Sequence, residues 1–522
     1  LGASPEVELR NPEYELTRAI KKVMYRFKGG GNLFAALDKP LTLTAYISAD
    51  AKLPGFLQDF KKQLLTLAGE LKTSAAGKFQ LQVLDPEADG GAVARKIATD
   101  FGFRPMQAGL LDPARFYFYL TLGNGEQTVQ VGLPDDFSKI GLRQNLEAGV
   151  KRFADNYLKT VGLAVPQQPA NPSMAQYGMV PEKRFNALRQ QLETNYKVQD
   201  IDLNRGTVPE DVDILLIAAV KNLDKKGLFA VDQFLMKGGT VLVAASAYDV
   251  QIGRDKLTAT VQQGKLQQWL AQQGLQLEKR LVLDPRNQPF PVPATRNVGG
   301  FILREVRLVP YPYFIDVREQ GLNQKLPITS NLSHVMLNWA SPIQVDSEKT
   351  KGLKQRWLLK SSPRAWTSDS LDLIPRVDQP GAPQQPPGEQ LLGVMLQGRF
   401  SSSFTGKGSP LLAENKSAAQ QPKDKPEQPP QLAEVIDKSP ESARLILLSS
   451  ADFLSDQTLQ LASSTSGQQD LGALQLVENT IDWSLEDAGL LSIRSRGHYA
   501  RTLIPLDRDS QKFYEYLNYL LV

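Results

Sequence analysis

The chain has 522 residues, 41% hydrophobic and 22% charged, a globular composition with enough apolar surface to fold without covalent staples. That length exceeds one compact core and predicts at least two domains. Lys and Arg number 60 against 56 Asp and Glu, with no basic block, which excludes nucleic acid as the implied partner. Cysteine is absent, which removes thiol catalysis, disulfides and thiolate metal sites together.

In chain order, Tyr14 to Phe27 reads as a helix within a lead-in over residues 1–38. A first α/β domain is expected over 39–159. LTLTAYIS (41–48) alternates apolar and polar positions as a strand does, and from Phe56 to Leu71 the apolar residues recur at helical spacing. FQLQVLD (79–85) predicts a second strand and Ala92 to Phe101 a short amphipathic helix. Strands at 116–122 and 127–131 flank Gly123-Asn124-Gly125, a hairpin signal because the tight turn needs positive φ. A helix from Ile140 to about Leu158 closes the unit. The order β-α-β-α-β-β-α is that of a thioredoxin-like sandwich, here without the cysteine pair that would carry out exchange.

A second domain begins over 160–290, at Val161-Gly162-Leu163-Ala164, and alternates strands with helices as a Rossmann-like or flavodoxin-like doubly wound parallel sheet does. DILLIAAV (213–220) is a continuous apolar run, expected of a central strand buried on both faces. A helix over 224–237, a Gly238-Gly239 stop and a strand over 240–246 follow. The strand at 443–449 completes this sheet within 436–522. Between them a β-rich insertion over 291–435 is expected, with strands near 301–309, 355–360 and 391–400. Two Pro/Gln-rich loops, 378–390 and 408–432, lack the apolar surface to order themselves.

Reactive residues are few. The chain has two histidines, His334 and His498, and neither shows the paired spacing of a metal site. Ser246 ends a predicted buried strand, where doubly wound hydrolases place a nucleophile, but Ala244-Ala245-Ser246-Ala247-Tyr248 lacks the flanking glycines of a nucleophile elbow. Ser449-Ser450-Ala451-Asp452 reads as a helix-capping turn. Gly29-Gly30-Gly31 and Gly406-Lys407-Gly408-Ser409 fit no phosphate-binding pattern. Asp85, Asp202, Asp213, Asp284 and Asp452 fall at strand ends or turns, where carboxylates either line a ligand crevice or cap turns. Tyr311-Pro312-Tyr313-Phe314 reads as core or as an aromatic binding platform. No residue is assigned a catalytic, cofactor-binding or metal role, and no cofactor is expected.

No run reaches the roughly 18 to 20 apolar residues that span a bilayer and no signal segment opens the chain, so as it stands it reads as soluble. Both ends read as cut from a longer chain: it opens at Leu1 and stops inside the apolar run Tyr516 to Val522, which is equally a terminal core helix. Several segments, taken in order, resemble one family. They are Tyr14-Glu15-Leu16-Thr17 followed by Pro40 and LTLTAYIS, Val83-Leu84-Asp85-Pro86, Ile201-Asp202-Leu203, and Val208 to Asp213 running into DILLIAAV. Gln233-Phe234-Leu235 with Gly238-Gly239, Pro327 to Leu332, Ser361 to Trp366 and Asp452-Phe453-Leu454 continue the set. Asn479 to Trp483 and Leu491 to Arg496 end it. Together they resemble the GldG-type gliding-motility family of ABC-transport auxiliary proteins. One departure is Pro166-Gln167-Gln168-Pro169-Ala170-Asn171-Pro172, where many relatives carry a Gly-His-Gly-Glu turn.

The resemblance implies a non-catalytic scaffold, ligand-sensing or gating region on the extracytoplasmic (periplasmic) side of a cell inner membrane, tethered by helices outside this sequence. It implies an ABC permease and ATPase as partners, with an envelope ligand and a homo-oligomer left open. Arg494 and Arg496 then lie near lipid headgroups or form a solvated pair. Two other functions remain: a serine hydrolase or amidotransferase-like enzyme using Ser246, and an envelope-glycan-binding module using Tyr311 to Phe314.

Overall fold

The computed structural model describes residues 34–485 and Tyr516, apart from 35–36, 38, 108–114, 126–127, 135, 154–158, 167–182, 222, 254–256, 299–300, 376–385, 412–434 and 467–470. The expected N-terminal helix, the Gly29 to Gly31 run, His498, Arg494, Arg496, residues 517–522 and most of both Pro-rich loops lie outside the described residues.

The first unit follows the expected element order: β1 (Leu41–Ile47), α1 (Gly55–Ser74), β2 (Phe79–Leu84), α2 (Ala92–Asp100), β3 (Phe118–Gly123), β4 (Thr128–Val131) and α3 (Lys139–Lys151). The sheet order is β2-β1-β3-β4, with β1 parallel to β2 and antiparallel to β3, and β3 antiparallel to β4. Strand β1 buries alternate side chains, and α1 buries Leu57, Phe60, Leu64, Leu67 and Leu71 along one stripe against the sheet. At the sheet edge, β2 buries Phe79 alone, although its sequence alternates. Gly125, at φ +91°, supplies the positive φ of the β3–β4 connection. The Ser138 hydroxyl accepts from Gly141 N (2.9 Å) and starts α3. Phe103 and Tyr119 stack 4.1 Å apart in the core.

The remaining elements are β5 (Thr160–Ala164), α4 (Asn186–Glu193), β6 (Lys197–Asp200), β7 (Ile214–Ala218), α5 (Lys225–Met236), β8 (Thr240–Ala244), β9 (Tyr248–Ile252), β10 (Leu257–Val261), α6 (Lys265–Gln272), β11 (Leu275–Leu277) and β12 (Leu281–Leu283). Then come β13 (Asn287–Val298), β14 (Phe301–Arg318), β15 (His334–Asn338), β16 (Ile343–Val345), β17 (Lys354–Lys360), β18 (Trp366–Ser368), β19 (Leu391–Gln397), β20 (Arg444–Leu448), α7 (Asp456–Ser466) and α8 (Gly472–Ser484). Among the described residues this is a mixed α/β protein with eight helices.

The largest sheet has seven strands in the order β17-β19-β20-β8-β7-β5-β6. The five from β20 to β6 are parallel, β19 is antiparallel to β20, and β17, antiparallel to β19, runs in the direction of the five. The strands expected near 355–360 and 391–400 as part of a β-rich insertion therefore lie in the main sheet, because their apolar residues complete its buried faces. The apolar run of β7 is explained the same way. Leu215 and Ile217 pack into one core with Phe234 and Trp269, while Ile214, Leu216 and Ala218 pack into the opposite core with Leu188, Leu192 and Ile481. Burying each large side chain contributes about 1.5–3 kcal/mol. Helix α5 stops where Gly238 takes φ +92°, its N–H bonded to Leu235 O (3.0 Å).

Polar contacts join the first unit to the large sheet. The Arg152 guanidinium donates to Glu210 O (2.6 Å) and Val212 O (3.0 Å), and Lys237 pairs with the Glu210 carboxylate at 2.6 Å. At a second contact Arg399 donates to Thr99 O (2.6 Å) and Arg104 pairs with Asp437.

Helix α5 is also fixed from within. Asp232, fully buried, accepts from Trp269 Nε1 (3.0 Å), Ser402 Oγ (2.5 Å), Ser403 N (2.9 Å) and Gln233 Nε2 (3.1 Å). Burial pushes its carboxyl above the ordinary value, outweighing those donors. A folded-state pKa above the unfolded one favours the folded protein below the unfolded pKa, and this contribution is lost as pH rises through the folded value. We therefore expect Asp232→Asn to remove a fall in stability just above the ordinary carboxylate range. Asp232→Ala, which orphans buried donors, should cost about 2–4 kcal/mol. Urea unfolding across pH 3 to 8 checks both.

Candidate functional site at the carboxyl edge of the main sheet

In parallel sheets ligands bind beyond the carboxyl ends of the strands, at the point where strand order reverses. Here the order reverses between β5 and β7, since β6 lies on one side of β5 and β7 and β8 follow on the other. The chain beyond β7 carries Lys221, the chain beyond β8 carries Ser246 and Asp249, and the chain beyond β20 carries Ser449 to Asp452. Lys183 leads into α4 after β5.

Four charged side chains meet there. The Lys183 ammonium contacts Asp249 Oδ1 (2.7 Å) and the Asp452 carboxylate, and Lys221 contacts Asp249 Oδ2 at 2.6 Å. Asp452 and Asp249 are 2% and 5% exposed, so neither carboxylate relies on water. Burial pushes the Asp452 carboxyl up, against the pull of Lys183. Burial opposes ionisation of Asp249 too, but Lys183 and Lys221 together hold its carboxyl below the ordinary value. Lys183, though desolvated, is held above its usual range by the two carboxylates. Asp452 Oδ2 and the fully buried Ser449 Oγ have no hydrogen-bond partner among the described residues. The edge therefore holds a fixed anion, a reluctantly ionised carboxyl and two ammonium groups, a set suited to binding a polar group.

Among the described residues there, no hydroxyl is set against a base. Ser246, 2% exposed, donates to Trp339 O (3.1 Å), lies 3.2 Å from Ser341 Oγ and accepts from Tyr248 N (3.2 Å). Its hydroxyl ties the end of β8 to the end of β15. His334 begins β15, five residues before Trp339, roughly 16 Å of extended chain from that contact. The strand-to-helix bend after β7 puts Ala219 at φ +54°. That left-handed position is strained for a residue with a Cβ, and a methyl group occupies it.

Of the five aspartates picked out from the sequence, only Asp452 joins the cluster. Asp85 accepts from Glu87 N (3.0 Å), Asp202 from Asn204 N (3.2 Å) and Asp213 from Thr160 N (2.8 Å). Asp284 accepts from Arg286 N, Ser362 N and Ser362 Oγ at 2.7–2.8 Å. Gly406 ends a turn over residues 403–406, and Lys407 donates to Ser403 O (2.9 Å). Tyr311, Tyr313 and Phe314 are buried, with Tyr311 and Phe314 packed on Trp339 and Tyr313 on Tyr311, so the aromatic run is core and offers no platform. Lys183, Lys221 and Asp249 were not picked out from the sequence. The signal that could have found them was the rule of strand carboxyl ends applied to β7 and β8. Among the described residues no group of three or more His, Cys, Asp or Glu could hold a metal ion, and no helix is long and apolar enough to cross a membrane.

Removing Lys183 leaves Asp452 buried without the cation that contacts it. Lys183→Met is expected to destabilise the chain by about 3–5 kcal/mol in urea unfolding, with partial recovery in Lys183→Met/Asp452→Asn.

An uncharacterized protein of Borreliella burgdorferi is 20% identical over 228 residues, 43% of this chain and 41% of that protein. The chain thus matches less than half the length of this relative. A solved structure described as a ThuA-like protein from Bacteroides uniformis aligns over 62% of this chain and 90% of its own, at 11% identity and a TM-score of 0.29, too low to carry an argument. The profile of the family described as "ABC-type uncharacterized transport system" matches residues 159–480, which contain the whole seven-stranded sheet. The chain belongs to this family of auxiliary components of ABC-type transport systems.

Proposed function

We propose that the chain is a non-catalytic, extracytoplasmic auxiliary region of GldG type, held beside an ABC permease and ATPase at a cell inner membrane. In this reading the carboxyl edge of the main sheet receives the ligand or partner whose binding is coupled to transport. One observation carries it: four charged side chains converge where a doubly wound sheet binds ligands, with a buried carboxylate oxygen that has no hydrogen-bond partner among the described residues. Ala219, at the bend where a hydrolase would present its nucleophile, supports the same reading.

The fold assignments belong to this proposal as well. The β2-β1-β3-β4 order supports a thioredoxin-like scaffold over 39–159. The β6-β5-β7-β8-β20 order supports a flavodoxin-like unit formed by 160–290 with 436–522, whose sheet is extended by β19 and β17 from the intervening 291–435.

Crosslinking in intact membranes is expected to trap the chain with the permease. Failure to do so while the transporter is assembled and active would sink the proposal. The hydrolase alternative predicts labelling by a serine-reactive fluorophosphonate probe that is lost in Ser246→Ala. Because the Ser246 hydroxyl is engaged on three sides, we expect no labelling, and Ser246→Ala to cost about 1–3 kcal/mol of stability.

A further inference from the structure

Strands β13 and β14 form an antiparallel ribbon, paired from Pro289↔Pro310 to Val298↔Phe301. Strand β15 covers β14 only from Phe314 to Arg318. Along the rest of the ribbon the two outer edges differ. Pro289, Pro291 and Pro293 stand opposite Pro310, Leu308 and Val306. Proline has no N–H, so it occupies ladder positions whose backbone groups point outward. The outer edge of β13 therefore lacks three successive outward donors and cannot accept another strand.

The same pairing sends the backbone groups of Val306 and Leu308 outward on β14, since residues opposite each other in a non-hydrogen-bonded pair both face away. Tyr311 N–H, where the register of the ribbon shifts, turns toward β13 and bonds Asn287 Oδ1 (2.8 Å). The open edge also carries exposed apolar side chains: Val306 is 68% and Leu308 53% exposed. The centre of its sequence, Glu305-Val306-Arg307, whose two charges also pair within the chain (3.5 Å), is complementary to itself when run antiparallel about Val306. Glu305 then faces Arg307 of the other strand twice, at non-hydrogen-bonded positions where side chains come closest. Val306 meets Val306 at a hydrogen-bonded position. The register that uses the outward donors is the register that pairs opposite charges.

We propose that residues 304–308 of β14 pair antiparallel with the same segment of a second copy of this chain, about a two-fold axis at Val306. Five residues per strand make a small contact beside the roughly 1,600 Å² of a standard interface. The association is weak in solution and is strengthened wherever copies are concentrated.

The chain has no cysteine, so a single introduced thiol reports the register. In the 522-residue chain, Val306→Cys is expected to form a disulfide-linked dimer under mild oxidation, because the paired Cα atoms lie about 5.5 Å apart. Leu308→Cys, displaced from its copy by roughly 13 Å along the strands, is not. Adding Glu305→Arg to Val306→Cys is expected to slow linking by about tenfold, and adding Arg307→Glu as well to restore it. Linking of Val306→Cys no faster than Leu308→Cys would overturn the proposal. So would a charge-swapped variant that stays as slow as Glu305→Arg alone.

Discussion

A carboxylate shut away from water is tolerated only when an opposite charge reaches it, and breaking such a pair costs about 3–5 kcal/mol. Asp452 is buried where β20 ends, and Lys183 is the cation in contact with both it and Asp249. That ammonium joins the chain entering α4 to the start of β9 and the chain beyond β20. Asp456 reinforces the link, its carboxylate accepting from Ala187 N (2.9 Å) and its N–H donating to Arg184 O (2.8 Å). The carboxyl edge of the main sheet is thus organised by electrostatics, whereas its interior is organised by apolar packing.

The two arrangements depend on each other. Strands β7, β8 and β20 alternate their side chains between two cores, which fixes their register, and fixed register brings their ends to one level. Hydrogen bonds from Ala245 N to Leu448 O (3.0 Å) and from Ser341 N to Ser449 O (3.0 Å) carry that level into the loops. The family likeness follows the same logic. Asn479, buried on α8, donates to Ile328 O (3.0 Å) and so joins two segments that carry the resemblance, far apart in sequence and adjacent in the second core.

The β13–β14 ribbon shows a different use of composition. A sheet edge invites pairing, and three alternate prolines close one edge. The other edge keeps its donors beside Val306 and Leu308. The difference between the edges directs association toward one register, in the way that negative and positive elements together set specificity.

Read alone, the sequence determined which segments fold and in what order: periodicity located β1, α1, β7, α5 and β8 to within about three residues at each end, and Gly238 marked the end of α5. Those features are local, arising from side-chain spacing and backbone preference within a few residues. It also determined the scarcity of reactive groups, since composition alone excludes thiol chemistry and leaves two histidines. Tertiary structure decided that β17 and β19 belong to the main sheet, that Ser246 is a fastening and that Asp452 has Lys183 and Asp249 as neighbours. It also decided that Ala219 sits in a left-handed bend. Lys183 and Asp452 are 269 positions apart in the chain, and no spacing rule spans such a distance. Their meeting follows from strand order, which is set by the burial of two apolar faces at once.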